Sequence, residues 1–303
     1  MFFDIDRERK KDRKMGKDVT KAKIMYIAST VIWGTIGVFR KNIPVSTGIL
    51  ILARGMIGSL FLYCLLRMKG SKPSWEAIKK NGLLLVLAGV CLSANWIFLF
   101  AAYRYTSVAT ASLCNNMAPI FIILMSPFVM KEHLTKKKCL CVTVAFIGMI
   151  LISGVLDVGF SGVQELKGVI LGLGAAVLYA GTVLFTKRLK DIRGLDITLV
   201  QLVVAVIVIL PYIFATEDIQ NITFTAEAVV MLLIMGVVHT GIAYALYFTS
   251  IENLKTQTIA IFSYIDPVVS VSLSVLVLKE HMGILGYIGA VLILGAAIMS
   301  ERE

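Results

Sequence analysis

Charged residues are scarce in this chain: Asp, Glu, Lys and Arg make up 16% of its 303 residues, whereas hydrophobic residues make up 58%. About a quarter of the residues in ordinary soluble domains are charged. The apolar residues form blocks of about 18 to 24, the length needed to cross a bilayer core of about 30 Å. This composition excludes a soluble globular domain and predicts a polytopic membrane protein.

Ten of these blocks are predicted to be transmembrane helices, and only short loops are left between them. We therefore expect an all-α fold with no separate soluble domain. The predicted spans are 24–41, 47–66, 82–102, 107–130, 139–156, 168–187, 196–215, 228–248, 255–278 and 283–300.

Several motifs of other protein classes are also missing. The five cysteines are an odd number and include no Cys-x-x-Cys pair, so a disulfide framework or a zinc site is not expected. The chain contains no G-x-x-x-x-G-K-[ST] sequence, which disfavours an ATP-driven pump. We expect neither a metal nor a cofactor. A membrane-embedded enzyme stays open as an alternative, because folding could bring the distant residues His133, His239 and His281 together.

Basic residues are distributed unevenly between the two predicted sides of the membrane. The net charge of +11 would by itself suggest a nucleic-acid partner. If the N-terminus is cytoplasmic, 24 of the 30 lysine and arginine residues lie in the tail 1–23, in the inner loops or at the C-terminus. This is the positive-inside pattern. It predicts a protein of the cell (cytoplasmic) membrane with both termini in the cytoplasm, and it makes the lipid bilayer the expected partner instead of nucleic acid.

The strongest pattern in the chain is an internal repeat. The segment from Trp96 to His133 aligns without a gap with the segment from Tyr244 to His281. Each copy contains a proline deep in a hydrophobic span, Pro119 or Pro267, and each copy ends in Lys-Glu-His. A duplicated membrane module with a proline in each copy is typical of secondary transporters.

The repeat divides the chain into two halves of five spans each, 24–156 and 157–303, after the basic tail 1–23. An odd number of spans forces the second half to enter the membrane from the opposite side, so the two halves are predicted to be inverted repeats. Because inverted halves can exchange conformations, they provide a physical route to alternating access.

A second set of matching positions supports the duplication. Trp33-Gly34 in span one corresponds to Tyr179-Ala180 in span six, and the end of span four or nine carries Glu132 or Glu280. With the paired prolines and the Gly-rich helix after each Glu, these motifs resemble the EamA-type, ten-helix branch of the drug/metabolite transporter superfamily. Tyr179-Ala180 departs from the Trp-Gly motif. Any role that the resemblance implies for this motif therefore applies to Trp33-Gly34 in span one only.

This resemblance implies a ten-helix bundle that exports or exchanges amino acids or other small metabolites through a central cavity. A multidrug or other-metabolite carrier of the same fold fits as well. The expected partner is a small-molecule solute, and both proton-coupled transport and uncoupled facilitation fit the sequence. Because the repeat is internal, a monomer could suffice, and a dimer stays open.

Three ionisable residues lie within predicted spans and should face the bundle interior, since a charge facing lipid is costly. Arg54 is a candidate for binding a substrate carboxylate, and Asp266 for binding a substrate amine or a coupling proton. The alternative is a structural ion pair between the two. His239 could relay protons or only hydrogen-bond neighbouring helices.

The two prolines predict interruptions in spans four and nine. A proline lacks an N–H and crowds the carbonyl four residues back, here that of Asn115 or Ser263. Free carbonyls at membrane depth are tolerated inside protein or against a water-filled cavity, so we predict kinks at Pro119 and Pro267 that line a cavity; kinks that only shape packing are the alternative. Neighbouring polar side chains could line the same cavity or join helices. They are Asn115, Asn116, Ser263 and Tyr264.

Aromatic residues occupy matching positions in both halves. Four of them lie deep in their spans and are predicted to form a cavity wall, which would suit an apolar or cationic solute. Tyr103 and Tyr247 lie nearer to span ends and are candidates for the interfacial aromatic belt. The four deep residues are Trp33, Trp96, Tyr179 and Tyr244.

Glu132 and Glu280 precede spans five and ten, respectively. Carboxylates near helix N-termini are stabilised by the helix dipole. We expect both residues to cap these helices and anchor the loops. A paired gating role on opposite membrane faces is the alternative.

Overall fold

A computed structural model describes residues 2–129, 136–152, 163–216, 225–251, 254 and 262–301 of the chain. Throughout these ranges the regular secondary structure is helical, with no strand. The helices are α1 Phe2–Gly34, α2 Ile36–Asn42, α3 Thr47–Met68, α4 Trp75–Lys80, α5 Gly82–Ala102, α6 Val108–Asn115, α7 Ala118–Val129, α8 Lys136–Ile152, α9 Val163–Lys187, α10 Gly194–Thr216, α11 Ala226–Gly236, α12 Ala243–Ile251, α13 Ile265–Leu276 and α14 Ile284–Glu301. A π-turn, Val237–Ile242, joins α11 to α12.

Within the described residues, the helices match the ten predicted spans; positions 130, 153–156 and 255–261 of spans four, five and nine lie outside those residues. Seven helical stretches in the described ranges are long and apolar enough to cross a membrane, and three shorter apolar helices supply the rest. The shorter ones are Cys139–Leu151, Ile265–Leu276 and Ile284–Ala296. The all-α polytopic fold is therefore confirmed. The charged segment predicted as a tail is helical from Phe2 onward and continuous with the first span.

Four of the spans are interrupted near their middle, one of them at Tyr264, just before α13. Thr35 separates α1 from α2, and a turn at 116–117 separates α6 from α7. Pro119 is the second residue of α7, where its missing N–H removes no helical hydrogen bond. The remaining interruption is the π-turn, where backbone hydrogen bonds span five residues instead of four.

Contacts at the helix ends show that the two halves are inverted. We call the end of the bundle with loops 69–81 and 188–193 the basic end, and the other end the opposite end. Asn81, before α5, binds the carbonyl of Lys190, after α9, with its side-chain amide at 2.9 Å. α9 therefore ends at the basic end. Its counterpart α1, continued by α2, finishes at the opposite end, where Lys41 meets Glu280.

Packing between the halves also reflects the inverted repeat, because corresponding helices of the two halves make corresponding contacts. α1 packs on α12 as α9 packs on α5, and α1 packs on α13 as α9 packs on α6 and α7. The pairs α3 with α10 and α8 with α14 join corresponding helices of the two halves directly. The two repeats are thus interlocked through most of their helices, and the interior between them is bounded by both.

We predict that Gly148→Ala destabilises the protein by separating α8 from α14. A Cβ at Gly148 would lie 2.8 Å from the carbonyl oxygen of Gly289, which is backbone and has no rotamer to change. Overpacking of this kind costs about 1–3 kcal/mol, and we expect a lower melting temperature in detergent.

The matched control is Gly295→Ala, on the same helix pair. A Cβ at Gly295 meets nothing within 4 Å, so Ala should leave the melting temperature unchanged or raise it slightly, because Ala favours the helix. Equal melting temperatures for the two variants would contradict close packing of α8 on α14.

Candidate functional site

A cavity of about 550 Å³ lies between the two repeats. This volume is within the range of about 300–1,000 Å³ that is common for small-molecule sites. Helices α1, α5, α6, α9, α10, α12 and α13 all contribute to its wall, together with Arg54 of α3. Ten of the 31 lining residues are aromatic, and three, Arg54, Lys187 and Asp266, carry a charged side chain.

The cavity brings together most of the residues predicted to form a solute pathway. Pro267 and His239 are buried behind the lining, and Glu132 lies outside the described residues. The eleven predicted residues that line the cavity are Trp33, Arg54, Trp96, Asn115, Asn116, Pro119, Tyr179, Tyr244, Ser263, Tyr264 and Asp266.

Arg54 places a buried guanidinium group in the cavity wall. Its Cζ atom lies 4.5 Å from the ring centroid of Trp96 and 5.4 Å from that of Phe100. Cation–π contacts of this kind contribute about 2 kcal/mol when desolvated. The Nε atom donates a hydrogen bond of 3.2 Å to Oγ1 of Thr240. In the described part of the chain, no carboxylate lies within ion-pair distance of Arg54, so its terminal N–H groups are left for another anion.

Asp266 contributes a carboxylate to the same cavity from the first turn of α13. The ion pairs formed by the described residues are Lys41–Glu280, Lys80–Asp191 and Arg193–Asp196. The predicted alternative, a structural ion pair between Arg54 and Asp266, is therefore not formed in this structure. The Arg54 guanidinium and the Asp266 carboxyl group therefore face one cavity without pairing with each other.

Gly34 of the Trp-Gly motif allows α1 to approach α13, the helix that carries Asp266, closely. A Cβ at Gly34 would lie 2.8 Å from the backbone oxygen of Asp266 and 2.7 Å from Cβ of Val269. Glycine is thus required by packing at the end of α1. Ala180, at the matching position of the second half, has no such requirement.

Two short helices begin at the cavity. α7 starts beside Asn116 and Pro119, and α13 starts beside Tyr264 and Asp266, all of which line the cavity. The N-terminus of a helix carries a partial positive charge. Half-helices that start at mid-membrane in this way are used by transporters to bind solute groups.

The asparagines beside the first break serve two purposes. Nδ2 of Asn95 donates hydrogen bonds of 2.9 Å to Oδ1 of Asn115 and 2.8 Å to the carbonyl of Ala175. Asn116 donates to the carbonyl of Ser112 at 2.8 Å. The amides of Asn95 and Asn115 therefore join α5, α6 and α9 while also lining the cavity, whereas Asn116 lines the cavity and bonds only within its own turn.

An aromatic wall covers the side of the cavity formed by α1 and α12. Trp33 lies 5.2 Å from Tyr244 and 5.3 Å from Tyr247 between ring centroids. Tyr247 packs edge-to-face on Phe248 at 5.0 Å. The belt position considered for Tyr247 and Tyr103 is wrong, since both line the cavity; the helices turn these side chains inward toward the other aromatic rings.

Glu280 closes the opposite end of the bundle. Its Oε1 atom pairs with Nζ of Lys41 at 2.6 Å, and its Oε2 atom accepts the N–H of Val108 at 2.8 Å and the hydroxyl of Ser274. Glu280 therefore caps a helix, as expected, but not the helix of span ten for which this was predicted. Glu280 caps α6, which is the start of span four, because the loop after α13 folds back over that helix.

A second hydrogen-bonded layer lies below this carboxylate. Ser270 of α13 donates to Oγ of Ser112 of α6 at 2.7 Å, and the Tyr103 hydroxyl lies 3.3 Å from the same oxygen. All three residues line the cavity. The described lining ends at this layer, so the cavity is closed toward the opposite end.

The lining continues toward the basic end. It includes Lys187 at the end of α9 and Gly194 at the start of α10, and Lys187 is exposed. Gln201 donates to Thr186 at 3.0 Å just inside this mouth. Among the described residues, the lining thus extends to the exposed Lys187 at the basic end and stops at the Ser112–Ser270 layer toward the other end.

Sequence reasoning missed several lining residues, and some of them carried a usable signal. Tyr247 and Phe248 follow Tyr244 by three and four residues, which places them on the same helix face. Phe100 likewise follows Trp96 by four residues. Thr240, which binds Arg54 from behind the lining, had no comparable signal, because the π-turn shifts the register of its helix.

His239 forms contacts between helices in this structure. Its Nε2 atom lies 2.8 Å from Oγ1 of Thr35, and its ring packs edge-to-face on Phe39 at 4.8 Å. The carbonyl of His239 accepts a hydrogen bond of 3.1 Å from Nε1 of Trp33. This is the helix-joining arrangement considered as the alternative to proton relay.

Comparison with known proteins agrees with this architecture. The model of the EamA-like transporter family matches residues 20–154 and again residues 166–301. A protein named uncharacterized transporter YxxF from Bacillus subtilis (strain 168) is 30% identical over 85% of this chain and 82% of its own length. An uncharacterized transporter from Clostridium kluyveri is 26% identical over 71% of each chain.

A solved crystal structure at 18% identity superimposes with a TM-score of 0.66 over 92% of this chain and 97% of the other. At that identity the likeness concerns the fold alone. The family match covers both halves of the chain and falls on the two repeats that enclose the cavity, and its members are transporters rather than enzymes. The chain is therefore a polytopic membrane protein that belongs to the EamA-like transporter family.

Proposed function

We propose that this protein is a secondary transporter that moves amino acids or closely related zwitterions across the cytoplasmic membrane by alternating access. The observation that carries the proposal is the pair of opposite charges on one cavity. Arg54 and Asp266 both line it, and they form no ion pair with each other. A solute with a carboxylate and an amine could satisfy both groups, each of which would otherwise be left unneutralised at membrane depth.

The aromatic wall gives the remaining part of the solute a place to bind. Trp33, Tyr244 and Tyr247 present ring faces and edges close to one another beside the charged groups. Apolar side chains pack well on such surfaces, and an ammonium group is attracted to ring faces. The combination favours amino acids with apolar side chains over strongly charged solutes.

We propose export as the direction of transport and the cytoplasm as the location of both termini. The excess of Lys and Arg on the side of the N-terminus supports the location of the termini. Export is supported by the resemblance of the duplicated motifs to the EamA-type branch, which implies export of small metabolites. The described cavity is built from one chain, so we propose the monomer as the transport unit and the solute and lipid as its partners.

We predict saturable uptake of one class of labelled L-amino acids into proteoliposomes that contain the purified protein. The panel is measured with and without an imposed pH gradient, because a gradient-dependent rate indicates a proton-coupled carrier and a gradient-independent rate indicates a facilitator. If folded protein takes up no amino acid but does take up apolar cations, the protein is a multidrug carrier of the same fold. Product formation without uptake would indicate an enzyme.

We predict that Asp266→Asn abolishes or uncouples transport while the protein stays folded in the membrane. The change removes the negative charge on the cavity and keeps the size of the side chain. Asp191→Asn is the matched control, since Asp191 is exposed and pairs only with exposed Lys80. Normal gradient-dependent uptake by Asp266→Asn, measured at equal protein per liposome, would refute a role of this carboxylate in transport.

We predict that Glu280→Gln opens the opposite end more often. Gln keeps an acceptor for the Val108 amide but loses the charge that pairs with Lys41. A single cysteine at position 36, on the cavity wall, reports this opening in a background without the five native cysteines. The label is a membrane-impermeant thiol reagent, added on the side away from the basic end of oriented vesicles.

Labelling should become several-fold faster in Glu280→Gln. Asp191→Asn, which breaks an exposed ion pair at the basic end, should leave the rate unchanged. Equal labelling rates in all three backgrounds would show that the Lys41–Glu280 pair does not hold the opposite end closed.

A further inference from the structure

We propose that the π-turn Val237–Ile242 is a positioning element that orients Arg54 and Trp33 toward the solute. Thr240 positions the Arg54 guanidinium group, and the carbonyl of His239 positions the Trp33 ring. This inference rests on the proposed role of Arg54 as the carboxylate-binding group. It adds residues that do not line the cavity themselves.

The π-turn leaves backbone groups available that a regular helix would use. In an α-helix the N–H of Ala243 would bind the carbonyl of His239, four residues back. Here that N–H is bonded to the carbonyls of Val238 and Thr240. The His239 carbonyl instead accepts Nε1–H of Trp33 at 3.1 Å. Turns of this type are frequent at functional sites.

Thr240 holds the Arg54 guanidinium through an ordered chain of hydrogen bonds. Its hydroxyl donates to the carbonyl of Met235, five residues back, at 3.0 Å. Because the proton is committed to Met235, the oxygen is free to accept from Nε of Arg54 at 3.2 Å. Thr240 is fully buried, so no solvent can replace it in that role. Nε is thus bonded to Thr240 and Cζ lies 4.5 Å from the Trp96 ring centroid, and these two contacts restrict where the terminal N–H groups can lie.

Close packing keeps the π-turn in place against α3. A Cβ at Gly58, one turn after Arg54, would overlap Cγ2 of Thr240. A Cβ at Gly241 would lie 2.5 Å from Cδ1 of Phe61 on α3. Side chains of the facing helix thus pack directly on both glycines, and the short Thr240 side chain can reach Nε.

The same turn is tied to the break in the first span. The His239 side chain bonds Thr35 at 2.8 Å, and Thr35 separates α1 from α2. Trp33 lies two residues before this break. One six-residue turn thus connects the residue that binds a carboxylate, the residue that begins the aromatic wall and the interruption between them.

The first test examines Arg54 without any solute. In protein labelled with ¹⁵N-arginine, the Nε–H signal that disappears in Arg54→Lys belongs to Arg54. We expect it to exchange slowly with solvent in the wild type and in Thr240→Ser, which keeps the hydroxyl. It should exchange at least about tenfold faster in Thr240→Val, which keeps the shape but removes the acceptor of a bond to a charged group.

Thr198→Val is the matched control. Thr198 is also buried and bonds a backbone carbonyl within its own helix, at 3.1 Å from Gly194, but it does not touch Arg54. Its variant should leave the Arg54 signal unchanged. An Arg54 signal that is equally protected in Thr240→Val would overturn the proposal.

The second test examines solute binding with L-phenylalanine and its amine, 2-phenylethylamine, as competitors of amino-acid uptake. Thr240→Val should weaken inhibition by L-phenylalanine about tenfold and leave inhibition by the amine unchanged, since only the amino acid carries the carboxylate that Arg54 would bind. Equal losses for both compounds would indicate a general structural effect and contradict the positioning role. If the wild type transports no amino acid, the proposed function fails, and the Arg54 signal alone decides whether the π-turn positions the guanidinium.

Discussion

A guanidinium group held inside the membrane is the constraint around which the cavity is organised. Removing an ion from water costs several kcal/mol even after the protein relaxes, and Arg54 is buried with no carboxylate beside it in the described structure. Two aromatic rings and the Thr240 hydroxyl stabilise the charge in part. The interruptions at Thr35, at Asn116 and in the π-turn all surround the same cavity. We therefore regard the broken helices and the buried cation as parts of one site.

The two ends of the cavity differ although the two halves share one pattern. Lys41 and Lys187 occupy matching positions in the two copies. Lys41 is paired with Glu280 at the opposite end, whereas Lys187 lines the cavity at the basic end. Corresponding helices make corresponding contacts in the two halves: α1 packs on α12, as α9 packs on α5. Because the halves are related in this way, each half can adopt the conformation of the other, so that interactions at one end form at the other end instead. This exchange is the physical basis of alternating access in inverted repeats.

Sequence periodicity predicted the parts of this account that depend on composition and duplication. Ten apolar blocks predicted the helices, and the duplicated Pro119 and Pro267 predicted where two short helices begin. Arg54 and Asp266 could be assigned to the interior because lipid excludes charge. The binding partners of these residues could not be predicted, since they depend on contacts between distant helices. Glu280 caps α6 instead of the helix that follows it, and no local pattern carries that information. The π-turn also had no signal, because a single change of helical register leaves hydrophobic periodicity almost intact.

In the proposed transport cycle, the cavity is exposed to the two ends of the bundle in turn. Two distances measured by electron paramagnetic resonance test it most directly, using spin labels on exposed positions: Lys23 and Arg188 at the basic end, and Asn42 and Arg104 at the opposite end. On addition of a transported solute, we expect a fraction of the molecules to change state. In that fraction the Lys23–Arg188 distance should shorten and the Asn42–Arg104 distance should lengthen. Distances that stay fixed, or that lengthen together at both ends, would contradict alternating access and leave the cavity without a transport role.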